Sequence, residues 1–328
     1  MAPRQVAASV IICTRDRAWS LRGTLASLAQ VSVPAHLCAE LILVDNGSTD
    51  ETPAVVSAAR FSNMSLHFLP EPCPGKSRAL NSALALSKGD VLLFTDDDVR
   101  FPSDWIESMC RPILDGRAEG VQGPIRLASG LQRRWLTPRL LAALADHQPS
   151  DEPQALIGAN MAIHRSVFDR IPAFDPDLGP GSARASGAED TLFSWQMVAA
   201  GFRLGLAPDA VVEHHPDPAR LTAKSMYRAA RKGGYSDAYL SYHWHHETIR
   251  YPRISLLRAL ARVVYWRVRR RNLRPSTGVP QDWDIAGMQE VWRYWYYTRE
   301  CRKPRNYEQR GLVKRPLGSA ARASPAIR

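Results

Sequence analysis

Residues 91–98 read VLLFTDDD, an apolar run that ends abruptly in Asp96, Asp97 and Asp98. Three adjacent carboxylates repel one another unless a cation offsets them, and hard oxygen ligands of this kind suit Mg²⁺ or Mn²⁺. A parallel strand delivers its functional residues at its carboxyl end, in the crevice where open α/β sheets bind ligands. A metal held there would in turn hold a phosphorylated substrate. Taken alone, the triplet fits a solvated turn after a core strand equally well. Further polar groups stand at the ends of apolar runs: Thr14-Arg15-Asp16, Asp45-Asn46-Gly47-Ser48, Glu189-Asp190 and His214.

These groups need a scaffold, and hydrophobic periodicity supplies one. Residues 6–13 (VAASVIIC) form a short β-branched run, the pattern of a buried strand, followed by helical spacing of Leu21, Leu25 and Leu28 over 19–29. Residues 40–45 predict a second strand stopped by Asn46-Gly47, a strong turn signal. Ser48 or Thr49 is placed to cap the next helix. A third strand is predicted at 66–69, a helix at 75–87 and a fourth strand at 91–95. Strands alternating with helices of about ten residues imply right-handed βαβ units and a mostly parallel, Rossmann-like sheet.

Beyond a Pro-containing helix start at 101–105 the pattern changes. Segments 120–127 and 156–164 look like strands with no long helix between them, which predicts a mixed or antiparallel half. The Gly/Pro/Ser-rich stretch 176–187 predicts a mobile loop. Glu189 and Asp190 open a helix over 191–200 with Gly201 as its C-cap. A last short strand is predicted at 211–213, just before His214 and His215. Helices are expected over 221–240, 254–271 and 284–302, then a frayed, basic tail at 303–328.

The order and spacing of the strand-end groups resembles the family-2 glycosyltransferases of the GT-A fold, inverting enzymes that use nucleotide-sugar donors. SVIICTRDR, LILVDNGSTDET, GKSRALNSALALSKGDVLLFTDDDV, FDPDLGPG and GAEDTLFSWQMVAAGFRLGLAPDAVVEHH carry the resemblance, which covers about residues 8–216. It implies a catalytic domain over 1–216, to which composition and pattern add a helical basic region over 217–302 and a tail over 303–328. It implies Asp45 on the nucleobase or ribose, with Thr14, Arg15 and Asp16 lining the same pocket. Lys76, Arg78 and Asn81, on the helix after a Gly-containing loop, would reach the diphosphate. Asp96 and Asp98 match the metal-binding DxD motif, with Asp96 and Asp97 also near the donor and His214 completing the metal shell. Glu189-Asp190 matches the ED motif, with Asp190 as general base. The implied reaction moves a sugar to a hydroxyl of a glycan, lipid-linked or small-molecule acceptor, with Mn²⁺ or Mg²⁺ as cofactor. Trp195 would stack on a sugar or pack in the core.

Charge divides the chain. Residues 1–216 carry 19 basic and 24 acidic residues, a net of −5, whereas 217–328 carry 24 and 8, a net of +16. The basic half suits phosphates or an anionic membrane surface. Arg228, Arg231 and Lys232 are candidates for the diphosphate, and 254–271 (ISLLRALARVVYWRVRRR) is patterned to lie on lipid or to pack as an amphipathic helix. The aromatic cluster at 292–297 and the tract His243-Trp244-His245-His246 stay open between packing and binding. Residues 6–13 are too short for a signal peptide, and no stretch reaches the roughly 20 apolar residues that span a bilayer. Five scattered cysteines offer no paired zinc spacing, so a reducing cytoplasm, with peripheral contact at the membrane, is the expected setting. No nucleic-acid motif is present, and a nucleotidyltransferase would need glycines where Thr14-Arg15-Asp16 stand. The remaining competitor is a catalytically silent nucleotide-sugar-binding subunit of a glycan-assembly complex.

Overall fold

A computed structural model describes residues 6–148, 153–182, 187–270 and 281–315. The N-terminal half alternates as β1 (Val6–Thr14), α1 (Ala18–Leu28), β2 (Leu37–Asp45), α2 (Thr52–Ala58), β3 (Ser65–Pro70), α3 (Lys76–Leu86) and β4 (Val91–Asp96). Then follow β5 (Val99–Arg100), α4 (Trp105–Leu114), β6 (Gly120–Gln122), β7 (Ile125–Leu127), α5 (Pro138–Ala143) and β8 (Asn160–His164). The chain continues with α6 (Glu189–Ala199), β9 (Leu204–Leu206), β10 (Val212–His214), α7 (Ala223–Tyr239), α8 (Pro252–Arg269) and α9 (Asp282–Glu300).

The main sheet runs β3-β2-β1-β4-β8-β6-β9. Its first four strands are parallel, as short βαβ crossovers require, while β8 lies antiparallel to both β4 and β6. Parallel strands covered on both faces must be apolar throughout, and β1 obeys. Val10 and Ile12 face one hydrophobic cluster with α1 and α4, while Ile11 faces another with α3 and Phe94, Phe174 and Phe193. The register sets Thr14 beside Asp45 and Cys13 beside Asp96, so three strand ends share one edge.

Segment 120–127 is two strands rather than one, because β7 leaves the main sheet to join β5 and β10 in a small second sheet, β5-β10-β7. His214 therefore lies inside β10, opposite Val99 of β5, where the sequence suggests a strand that stops one residue earlier. The expected loop at 176–187 is described only outside 183–186, and Leu178 there is fully buried.

The three C-terminal helices pack on one another, with α9 in contact with both α7 and α8. The expected frayed tail differs over residues 303–315. Tyr307 is 2% exposed and packs with Tyr235, Tyr239 and Trp244, so apolar burial holds a segment that its charge alone would release. Residues 316–328 of the expected tail, and Arg271, lie outside the described residues. Asp175 ties the tail down: its Oδ2 accepts from Tyr239 (2.6 Å) and Tyr307 (2.8 Å), and its Oδ1 from Lys314 Nζ (2.5 Å). These three donors and the Asp177 amide, 2.9 Å from Oδ1, satisfy the charge that burial would otherwise make costly.

Candidate functional site

The carboxyl ends of β1 and β4 open onto a cleft of about 360 Å³ lined by Thr14, Arg17, Lys76, Asp96–Asp98, His214 and Arg220 among others. The backbone turns sharply after β4, so the three aspartates point to different partners. Asp96 Oδ1 accepts from Lys76 Nζ at 2.5 Å. Asp97 Oδ2 accepts from Thr14 Oγ1 at 2.6 Å and its Oδ1 pairs with Arg17 at 2.9 Å. Asp98 Oδ2 accepts from Arg17 Nη2 at 2.5 Å and lies 3.2 Å from His214 Nε2.

The charge balance has clear consequences. Burial pushes the Asp97 carboxyl up to about 7, against the lowering effect of Arg17 and with further help from Asp98. Burial would raise Asp98 too, yet His214 and Arg17 hold it well below the usual carboxylate range. Burial opposes the charge on Lys76, but Asp96 and Glu189 outweigh it and raise its pKa. Cys13, also at the cleft, is pushed up to about 12 by burial, so its thiol is inert.

The residues fit a divalent cation. Asp98 Oδ1 is buried without a hydrogen-bond partner. His214 Nδ1 donates to the Leu144 carbonyl at 2.6 Å, since a carbonyl can only accept. With Nδ1 so committed, Nε2 is the nitrogen turned to Asp98, and a bound cation would meet its lone pair there, an arrangement in which a backbone carbonyl fixes the tautomer of a metal-binding imidazole. Among the described residues no group of three or more His, Cys, Asp or Glu converges on one point. The chain offers a carboxylate and an imidazole, leaving the remaining positions to phosphate and water, the usual manner of Mg²⁺.

Lys76 joins this cluster to the carboxylates at the start of α6. Its Nζ is 3.8 Å from Glu189 Oε1, and a Cβ built on Gly158 would lie 3.6 Å from both Lys76 Nζ and Asp190 Oδ2. Asp190 Oδ2 accepts from the Gly158 amide at 2.9 Å and Oδ1 from the Thr191 amide at 2.7 Å. Glu189 is buried, and desolvation together with Asp190 pushes its carboxyl up to about 7 while Lys76 opposes the rise. Ala188, the residue before the helix, holds φ +68°, a left-handed conformation that a non-glycine residue keeps only under constraint.

The other sequence-predicted residues make different contacts. Asp45 Oδ1 accepts from the Ser48 amide in its own turn. Asp16, at φ +51°, accepts from the Thr49 amide and hydroxyl and so latches the loops after β1 and β2 together. Arg15 lines the cleft. Arg78 is exposed, and Asn81 exchanges both amide groups with the Phe174 backbone. Trp195 stacks on Trp244 (centroids 5.5 Å apart) in a core. Arg231 donates to Tyr296 and sits over Trp292. His243 pairs with buried Glu300 at 3.1 Å.

Three polar cleft residues have contacts that the sequence analysis did not assign to them. Arg17 is the cation on Asp97 and Asp98, and Arg220 feels Asp98 and Asp96. Asn46 uses its amide to pin the loop before α3, donating to the Glu71 and Cys73 carbonyls and accepting from Gly75. Arg17 follows β1 by three residues in a run that already offers Arg15, and nothing in the local pattern says which arginine turns inward.

A family model described as "Glycosyl transferase family 2" matches residues 9–172. A "Probable glycosyltransferase YdaM" of Bacillus subtilis is 25% identical over 69% of this chain and 55% of its own length. An "N-acetylglucosaminyltransferase" of Rhizobium meliloti is 28% identical over 64% and 51%. The chain thus spans about half the length of these curated relatives. In structure it is similar to the "Mannosyltransferase PcManGT from Pyrobaculum calidifontis in complex with GDP-Man and Mn2+", with a TM-score of 0.60, 19% identity, and 90% of this chain and 88% of that one covered. This likeness shows the fold, which is of GT-A type.

Proposed function

Because the chain belongs to glycosyl transferase family 2, we propose that it moves a sugar from a nucleotide-sugar donor to an acceptor hydroxyl by single displacement with inversion. One observation supports the reading: Asp98 with its orphaned Oδ1, His214 and Lys76 line the cleft at the carboxyl ends of β1 and β4, and Lys76 reaches from there to Glu189 at the start of α6. A metal-assisted displacement needs a cation site at the leaving group and a base for the nucleophile. This chain has candidates for both.

Asp98 and His214 would hold a divalent ion, as the similar mannosyltransferase was solved with GDP-Man and Mn²⁺. Bound there, the ion would supply Lewis-acid stabilisation of the departing nucleoside diphosphate. Lys76, kept protonated by Asp96 and Glu189, adds a fixed positive charge on the same side of the cleft. Arg220 is a second cation within reach of the donor. Asp190 is the general base. Two backbone amides fix its carboxylate, so that it accepts the hydroxyl proton late, as the C–O bond forms. Glu189, buried behind it, orients Lys76.

The deciding experiment titrates nucleoside diphosphates with and without Mn²⁺ and then assays sugar transfer from the corresponding donors. Metal-dependent binding followed by transfer supports the proposal. Metal-dependent binding with no transfer to any acceptor class would instead identify a silent nucleotide-sugar-binding subunit.

A further inference from the structure

Helix α8 turns only one side to the protein. Leu256, Ala259 and Val263 pack against Met288 and Val291 of α9. On the opposite side Ile254, Leu257, Val264 and Val268 stand 46%, 65%, 58% and 63% exposed. At 3.6 residues per turn these four fall within a sector of roughly 80°, a continuous apolar stripe along a helix about 27 Å long. Tyr265 extends it, 54% exposed. Scattered apolar residues on a surface need no explanation, whereas an aligned set this long marks a contact.

Charge identifies the contact. The helix carries five arginines and no acidic residue. Arg258, Arg262 and Arg269 follow one side of the stripe and Arg253 begins the other, while Arg267 turns inward to Asp284 at 2.8 Å. An apolar stripe edged by cations matches the boundary between acyl chains and anionic headgroups, where the apolar side chains leave water and the guanidiniums meet phosphate. A second copy of the chain fits worse, because a two-fold contact would bring the arginines of one α8 toward those of the other, while Glu290, the carboxylate at this edge, is already paired with Arg262. No helix among the described residues is long and apolar enough to cross a membrane, so α8 would lie in the interface plane.

We propose that the outward face of α8 docks on an anionic lipid bilayer, with Leu257, Val264 and Val268 entering the headgroup–acyl boundary and Arg253, Arg258 and Arg269 on lipid phosphates. This surface is separate from the donor cleft and stands whether or not the protein transfers sugar.

The test is co-sedimentation of the full chain with vesicles of phosphatidylcholine alone and of phosphatidylcholine mixed with phosphatidylglycerol. Partitioning at least about tenfold higher onto the anionic vesicles, falling as salt rises, is expected. Leu257→Gln with Val264→Gln should lower partitioning about tenfold with an unchanged melting temperature, since both side chains already face solvent. Arg258→Gln with Arg269→Gln should abolish the preference for anionic lipid. Failure to sediment with either vesicle, or binding indifferent to the Leu257/Val264 pair, overturns the proposal. So would a dimer in sedimentation velocity that the same pair dissociates.

Discussion

Arg17 Nη2 sits 2.5 Å from Asp98 Oδ2, on the carboxylate whose other oxygen is buried and unpartnered. The guanidinium therefore neutralises the aspartates from one side and leaves the other open to a second cation. Removing it uncovers two buried carboxylates. Arg17→Gln should lower stability by about 3 kcal/mol, and Mn²⁺ should recover more of the melting temperature in the variant than in the parent. Thermal unfolding with and without Mn²⁺ measures this, and an equal metal shift in both proteins would be the contrary result.

His214 meets Asp98 through Nε2 while the Leu144 carbonyl holds Nδ1. His214→Ala should abolish Mn²⁺-dependent thermal stabilisation and weaken Mn²⁺ binding by at least about tenfold. Isothermal titration with the metal alone reads the effect without any donor. Undiminished Mn²⁺ binding would remove His214 from the metal shell.

Asp190→Asn keeps the size and, through its single amide oxygen, one of the two backbone contacts, but loses the proton acceptor. Transfer should fall about 10²- to 10⁴-fold, with donor affinity within a few-fold of the parent. Single-turnover assays at saturating donor separate the two, and near-normal turnover would exclude Asp190 as base.

Glu189 has its carboxyl pushed up from 4.5 to about 7. A raised acid favours the folded state while it holds its proton. Its contribution is complete below about 4.5 and is lost as pH climbs toward about 7, by at most about 1.4 kcal/mol per pH unit. The stability advantage of the parent over Glu189→Gln should shrink across that window and then level off. Denaturant unfolding of both proteins from pH 4 to pH 8 checks it, and a constant difference would contradict the buried titration.

Lys314 is the cation on Asp175, a carboxylate already shared by Tyr239 and Tyr307. Lys314→Met leaves a buried charge with two hydroxyls and the Asp177 amide but no cation, and should cost about 2 kcal/mol. Equilibrium urea unfolding gives the value. An unchanged midpoint would mean that the tail contributes nothing to the body.

The first four parallel strands, the mixed half and the helical C-terminal region were legible because period and turn chemistry are local properties. Asp96–Asp98 and Glu189-Asp190 stood out because strand ends and helix starts are written in adjacent residues. Strands β5, β7 and β10 have two or three residues each, too few for any period, and so His214 fell outside the expected strand. Arg17, Arg220 and the Asp175 anchor depend on contacts between positions far apart in sequence, which no window of residues contains. Asp16, Asp45 and Asn81 are of types that suit ligand binding and loop bracing equally, so the sequence names them as candidates without naming the loop partners they also hold.

The Asp175–Lys314 contact joins positions 139 apart, which sets an order in time. At ribosomal rates of about 5–20 residues per second, the aspartate leaves the tunnel some ten seconds before its lysine exists. The segment leading to α6 must wait that long for its last brace. A nascent chain would thus assemble its first parallel strands early and fix the approach to the proposed base late.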